Sequence, residues 1–298
     1  MAETQARYRL NPVSIQPTGI SLGVTLAVLG AGMLHAGWNT LLKGAPGGDP
    51  LLDTAGVVAA SSFWSLLALP FVSIPAAGAW PFIAASATIH FAYYLTLTGA
   101  YRTGDLSFAY PLMRGTAPLL VALLGVALLH EWPTLQAAAG IALICAGIVS
   151  IAFVNPGRHP RAAVLWALAN AAIIACYTFV DGTGARASGD AWGYAFWLMF
   201  LEGFPFLLWI AFRRGRPALA YMTGGTRRSL AAGAGSVMAY AIVLWAMTRA
   251  PVALVAALRE TSVIFATLFG ALLLKEGLGW RRLAGATSVA LGVAALKL

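Results

Sequence analysis

Four ionisable side chains sit deep inside long apolar stretches of this sequence: Arg114, Glu202, Arg259 and Glu260. A charge at the centre of a membrane helix costs about 2.5–3.5 kcal/mol on insertion scales, so each needs a reason to be there. Their formal charges cancel, which permits a plain reading in which they pair and hold helices together. Arg114 and Arg259 admit a sharper one, because a guanidinium can grip a substrate carboxylate through two parallel hydrogen bonds. A pair of arginines could equally cap the carbonyls of neighbouring helices. Glu202 and Glu260 are either partners of these cations or groups that couple protons to a cycle. His35 joins them, since imidazole titrates near neutrality, against the alternative of a packed, hydrogen-bonded ring. His90 reads as lining a cavity, with Tyr94 one helical turn away on the same face.

Many of the 10 tryptophans and 9 tyrosines fall near the ends of apolar runs, where an interfacial belt is the default. Trp38, Tyr93, Tyr94, Tyr177, Tyr240 and Trp245 are deeper. A tyrosine hydroxyl in hydrocarbon needs a partner, so these should face a polar interior. Such a wall would stack flat, partly apolar substrates or hold cations on its ring faces, although core packing would also account for any single one. Asn39, next to Trp38 in the first run, adds a polar group to the same surface. Pro111 and Pro118 flank Arg114, and Pro205 follows Glu202 by three residues. Each removes a backbone hydrogen bond, so irregular helix is expected beside these charges, as a broken binding segment or as a simple kink. The paired glycines Gly140/Gly147 and Gly285/Gly292 suit close helix approach in a bilayer. No nucleotide loop, zinc motif or nucleophile elbow is present. No cofactor, metal site or catalytic residue is therefore expected, and an enzyme is not.

The elements that must position these residues follow from composition. Of 298 residues, 60% are hydrophobic and 10% charged, against roughly a quarter charged in a soluble domain. The mean hydropathy is +0.79. Disorder and a water-soluble fold are excluded together. The net charge of +9 sits between apolar runs, which fits lipid headgroups better than nucleic acid. Cys145 and Cys176 lie inside such runs and read as core filler rather than a disulfide. Residues 1–18 form a polar tail. Apolar runs of membrane-spanning length then occupy about 19–43, 51–73, 79–101, 105–128, 134–153, 161–181, 191–212, 229–249, 252–274 and 281–297. The first is too long for a signal peptide and should stay. Turn chemistry separates the runs at Gly47-Gly48-Asp49-Pro50, Ile74-Pro75, Asn155-Pro156-Gly157 and Gly277-Leu278-Gly279, and the longest break, Arg213 to Arg228, holds five arginines. The runs are too long and too uniform for barrel strands.

Sliding the chain by 145 residues aligns Arg114 with Arg259, Thr116 with Thr261, Gly125 with Gly270 and Glu131 with Glu276. The same offset pairs Gly140 with Gly285 and Gly147 with Gly292, and Gly48-Asp49 resembles Gly189-Asp190 at 141. Two five-helix halves, 19–153 and 161–298, are expected. Five crossings put the second half in from the opposite side, so the halves are inverted, an arrangement found in secondary transporters with a midplane site. On the side of the termini lie Arg7, Arg9, Arg186, Arg249 and Lys297. On the other lie Lys43, Arg102, Arg158, Arg161, Arg213, Arg214, Arg216, Arg227, Arg228, Lys275, Arg281 and Arg282. The positive-inside rule places both termini in the periplasm.

The duplicated Leu128-Leu129-His130-Glu131 and Leu273-Leu274-Lys275-Glu276, each followed by a run with two glycines seven apart, resemble the drug/metabolite transporter superfamily. The closest likeness is to its ten-helix EamA-type exporters and, in overall character, to aromatic amino acid exporters of the YddG type. The resemblance spans essentially the whole chain. It implies an all-α membrane protein with ten helices around a central cavity in a bacterial inner membrane. The small four-helix exporters of the superfamily use a Glu in their first helix; here that helix has His35, Trp38 and Asn39, so their coupling does not carry over. The expected function is export of small metabolites, foremost aromatic and other large apolar amino acids. Arg259 and Arg114 would meet the carboxylate, and Trp38, Asn39, His90, Tyr94, Tyr177 and Tyr240 would line the site. Export of cationic drugs or sugar-type metabolites is the rival on the same fold, and a scaffold or intramembrane enzyme a remote one. The partners expected are a small molecule and the bilayer, with no nucleic acid. A fused inverted pair can form a complete cavity as a monomer.

Overall fold

The computed structural model describes residues 20–43, 49–104, 106–153, 160–273 and 279–296, and all regular structure among them is helical. In chain order these are α1 (Leu22–Lys43), α2 (Pro50–Ala68), α3 (Trp80–Thr103), α4 (Leu106–Leu129), α5 (Leu135–Ala152) and α6 (Arg161–Ala187). Then follow α7 (Ala191–Leu201), α8 (Gly203–Gly224), α9 (Thr226–Met247), α10 (Val252–Arg259), α11 (Ser262–Leu273) and α12 (Trp280–Ala295). Seven stretches among the described residues are long and apolar enough to cross a bilayer: 51–71, 108–129, 135–152, 161–187, 191–218, 226–247 and 252–269. The chain is thus a multi-pass membrane protein. Large apolar side chains such as Leu22, Leu123, Leu165, Phe212 and Leu272 stand exposed around the bundle, a surface that only lipid would cover at no cost. The polar tail at 1–18, the turns at 47–48, 155–157 and 277–278, and residues 274–276 of the second duplicated motif lie outside the described residues.

The helix starts follow local chemistry. Asp49 accepts from the backbone N of Leu51 at 2.9 Å ahead of Pro50, and Asp190 accepts from Trp192 N at 3.0 Å. The two aspartates aligned at an offset of 141 thus do the same job, capping α2 and α7. Thr134 caps α5 through Ala137 N at 3.1 Å. Proline does not behave as expected in α4, which runs unbroken through Pro111 and Pro118. The helix interruptions lie elsewhere. One falls at Glu202, where Pro205 supplies no N–H for the Leu201 carbonyl. Another, with no proline, falls at Glu260-Thr261. A third is at Gly215, whose φ of 60° suits glycine.

Short α10 is the axis of the bundle. All eight of its residues are buried, and it touches α1, α4, α5, α6 and α9. Elsewhere small residues bring backbones together. A Cβ on Gly140 would lie 2.9 Å from the Gly292 carbonyl, and one on Gly292 would lie 2.8 Å from that of Gly140. Gly147 and Gly285 repeat this reciprocity at 2.9 Å each way. So α5 and α12 pack antiparallel through all four glycines, as the sequence anticipates. Gly140→Val should therefore cost about 1–3 kcal/mol, because a carbonyl cannot step aside. Gly23→Ala, which has nothing within 4 Å, should be neutral. Melting temperatures of the two purified variants check this; equal values would mean that α5 and α12 do not meet here. Cys145 is buried as expected, whereas Cys176 is exposed on α6 and is no part of the core; both thiols are free.

Candidate functional site

Where α10 gives way to α11 the backbone tightens. Glu260 N bonds Ala257 O at 3.0 Å, Thr261 N bonds Leu258 O at 3.1 Å and Ile264 N bonds Thr261 O at 2.9 Å. These three-residue links swing Glu260 out of the regular helical ladder. The turn can pack tightly because Gly32 of α1 faces it: a Cβ there would lie 2.9 Å from Thr261 Oγ1. Arg259 closes α10, a favourable place for a cation. From α4, Arg114 Nε reaches Glu260 Oε2 at 2.9 Å, while Arg259 Nε stands 3.7 Å from Oε1. Glu260 is wholly buried and each arginine 6% exposed. The residues that the 145-residue offset makes equivalent thus share one carboxylate. Arg114 Nε is taken up by its contact with Glu260, while Nη2 of Arg114 and Nε of Arg259 have no hydrogen-bond partner. Two cations with spare donors around one anion can take a further carboxylate.

Next to this triad is a second polar group. His90 Nδ1 lies 3.0 Å from the Ser86 carbonyl, 3.1 Å from Ser86 Oγ and 3.3 Å from Glu202 Oε2 at the α7–α8 break. The Tyr177 ring covers the imidazole with centroids 4.2 Å apart, and Tyr93 and Tyr240 meet it edge-on. Tyr240 donates to Asp181, as does Tyr194 at 3.0 Å. Tyr177, which also meets the Tyr93 ring edge-on at 5.8 Å, is within electrostatic reach of Arg259, Arg114, Glu260 and Asp181.

The other expected site residues divide. His35 feels both guanidiniums and meets Trp38 edge-on at 5.1 Å. Trp38 Nε1 is buried without an acceptor. The Asn39 amide turns back to donate to the His35 carbonyl at 2.7 Å. Tyr94 diverges from His90: it stacks on Phe206 at 4.4 Å and lines a cleft of about 180 Å³ with Asp49, Arg102 and Arg214, on the side away from the chain's ends. On the opposite side Glu131 and Arg186 form a clamp. Arg186 donates to Glu131 at 2.6 Å, to Met247 O at 2.8 Å and to Ala250 O at 3.0 Å. Glu131 in turn caps α10 at Val252 N, 3.1 Å away. His130, at φ 54°, turns the chain so that Glu131 can do so.

Asp181, Glu131 and Arg186 were not legible as site residues. Asp181 marks the end of the expected sixth run, but α6 continues to Ala187 and leaves it fully buried. The apolar and small residues through Gly184-Ala185 were the available signal. Among the described residues no group of three His, Cys, Asp or Glu could hold a metal ion.

A bundle of apolar helices that buries Glu202, Arg259 and Glu260 at helix interruptions has the charge placement found in membrane transporters of small molecules. The chain belongs to the EamA-like transporter family, whose profile matches residues 21–153 and again 161–297. Its fold is similar to that of a solved structure described only as "Crystal structure of protein", with a TM-score of 0.70 and 16% identity over 92% of this chain and 96% of that one. No curated protein matches the sequence.

Proposed function

We propose that the protein is a secondary exporter of small metabolites in a bacterial inner membrane, with aromatic and other large apolar amino acids as its substrates, in the manner of YddG-type exporters. The carrying observation is the buried triad of Arg114, Glu260 and Arg259, with its unfilled guanidinium donors beside the wall of His90, Tyr93, Tyr177 and Tyr240. A carboxylate would bind the arginines while an aromatic side chain packs on the rings. Ten crossings in two inverted halves, 19–153 and 161–298, would rock about this site. The reciprocal glycine contacts of α5 and α12, and the matched caps Asp49 and Asp190, support that symmetry. The basic-residue count supports periplasmic termini, so the Arg186–Glu131 clamp would close the periplasmic side and the Tyr94 cleft would open to the cytoplasm.

Saturable uptake of labelled phenylalanine into proteoliposomes, competed by tryptophan and tyrosine but not by sugars, is the expected result. An imposed pH gradient would reveal coupling. A flat signal from folded protein would overturn the amino acid reading. The buried carboxylates Asp181 and Glu202 favour a second reading, export of cations. In that case Glu202→Gln should abolish transport of organic cations and spare amino acids.

A further inference from the structure

The cleft where α2, α3 and α8 meet is built like a binding site of its own, apart from the triad. Its floor is dry and aromatic: Tyr94, 8% exposed, stacks on the fully buried Phe206. Its rim carries two guanidiniums, Arg102 from the last turn of α3 and Arg214 from α8, and Thr98 adds a hydroxyl. Arg102 has no hydrogen bond or ion pair with any described residue. Arg214 Nη2 faces Asp49 Oδ2 at 3.6 Å, with the two side chains 45% and 32% exposed, so water screens the pair and it contributes little. The rim is nevertheless fastened down. Gly215 turns the chain directly after Arg214, and Tyr221 ties the arm beyond it to α2. Its hydroxyl accepts from Asp49 N at 2.8 Å and donates to Asp53 Oδ1 at 3.0 Å. The volume of about 180 Å³ suits one small molecule and falls below the range of drug-sized pockets.

We propose that this cleft is a second, outer binding site for zwitterionic amino acids with apolar or aromatic side chains. It deepens the amino acid reading of the triad and rests on it. The carboxylate docks on Arg102 and Arg214, whose planar guanidiniums match it, while the side chain lies over Tyr94 and Phe206. When Arg214 turns to the carboxylate it releases Asp49 Oδ2, and the ammonium takes its place there. One cation replaces another at Asp49, so the charge of the cleft is unchanged by a zwitterion. The remaining positive surplus at an open mouth is screened by water and salt, and it draws carboxylates in from solution. The floor also adjoins the central site. Tyr94 meets Tyr93 edge-on at 5.3 Å, and Tyr93 meets His90 and Tyr177, so neighbouring residues of α3 serve both places. With periplasmic termini the cleft opens to the cytoplasm, where an exporter collects its cargo. The two sites differ in one measurable respect: exposed guanidiniums lose their hold in salt, and buried ones do not.

Equilibrium dialysis of labelled phenylalanine against the purified full-length protein in lipid nanodiscs tests this by counting. The parent should bind two molecules per chain at low ionic strength and one at high, where only the triad is read. Arg102→Gln/Arg214→Gln should bind one at either. Thr98→Trp, which fills the cleft and removes no charge, should repeat that loss. Arg259→Ala should keep the salt-sensitive molecule alone, and phenethylamine, which has no carboxylate, should not displace it. A single salt-insensitive molecule, lost only with Arg259→Ala, overturns the outer site and leaves the amino acid reading standing. A second molecule that either cleft variant leaves in place overturns the cleft as its location. A single salt-sensitive molecule, lost in both cleft variants and kept in Arg259→Ala, upholds the outer site and overturns the triad as a carboxylate site. No binding at all overturns both.

Discussion

Glu260→Gln should destabilise the folded protein by about 3–5 kcal/mol, the usual consequence of removing one partner from a buried ion pair. The size follows from what remains. Arg114 and Arg259 are 6% exposed, and the carboxylate they share lies 2.9 and 3.7 Å from their Nε atoms. A neutral amide at 260 leaves two buried guanidiniums with no carboxylate in contact with either, since Glu260 is the one that both touch among the described residues. Melting temperature and the monodisperse fraction of the purified protein are the readouts. The double variant Arg114→Gln/Glu260→Gln should recover much of the loss, because the pair is removed together and the charge count is restored. A single variant as stable as the parent would show that Glu260 is not the counter-ion of the triad. Glu202→Gln provides the contrast: it removes an anion from a region that has one to spare, so it should cost much less.

The sequence already indicates both arginines and Glu260, and for a sound reason. Charges are so expensive in hydrocarbon that only paired or functional ones persist, and a shared offset marks Arg114 and Arg259 as equivalents. It could not indicate which carboxylate they share, because that depends on a turn at 260–261 that no proline or glycine announces. Pro111 and Pro118 mislead in the opposite sense. α4 continues through both, held between α5 and α6, since packing on two sides can outweigh a lost backbone bond. Asp181 was lost to a boundary. A charge at the end of an apolar run looks like the water interface, and only the six further helical residues to Ala187 place it in the core. Tyr94 shows the limit of helical phase: one turn from His90 is the same face, but its ring turns to Phe206 while His90 turns to Tyr177.

Arg259 and Arg114 look interchangeable in the sequence, yet their expected behaviour differs. Arg114 holds Glu260 at contact distance, whereas Arg259 stands back at 3.7 Å and sits at the end of α10, next to the break. Arg259 is thus the arginine with less to lose on turning to a substrate. Arg259→Ala leaves Glu260 paired with Arg114, so the triad becomes neutral and the fold should survive. Losing a desolvated charge partner from a binding site costs about 2–5 kcal/mol, which is roughly 30- to several thousand-fold in affinity. Phenylalanine binding should fall by at least the lower figure. Phenethylamine, which lacks the carboxylate, should bind the parent and the variant alike, so the preference for the acid over the amine should vanish. Arg259→Lys should recover only part, because an ammonium cannot offer the parallel pair of donors. An equal loss for both ligands would mean that Arg259 shapes the cavity without touching the carboxylate. Unchanged affinity for phenylalanine would shift that role to Arg114. In that case Arg114→Ala, in which Arg259 alone remains to pair with Glu260, should cost both binding and stability.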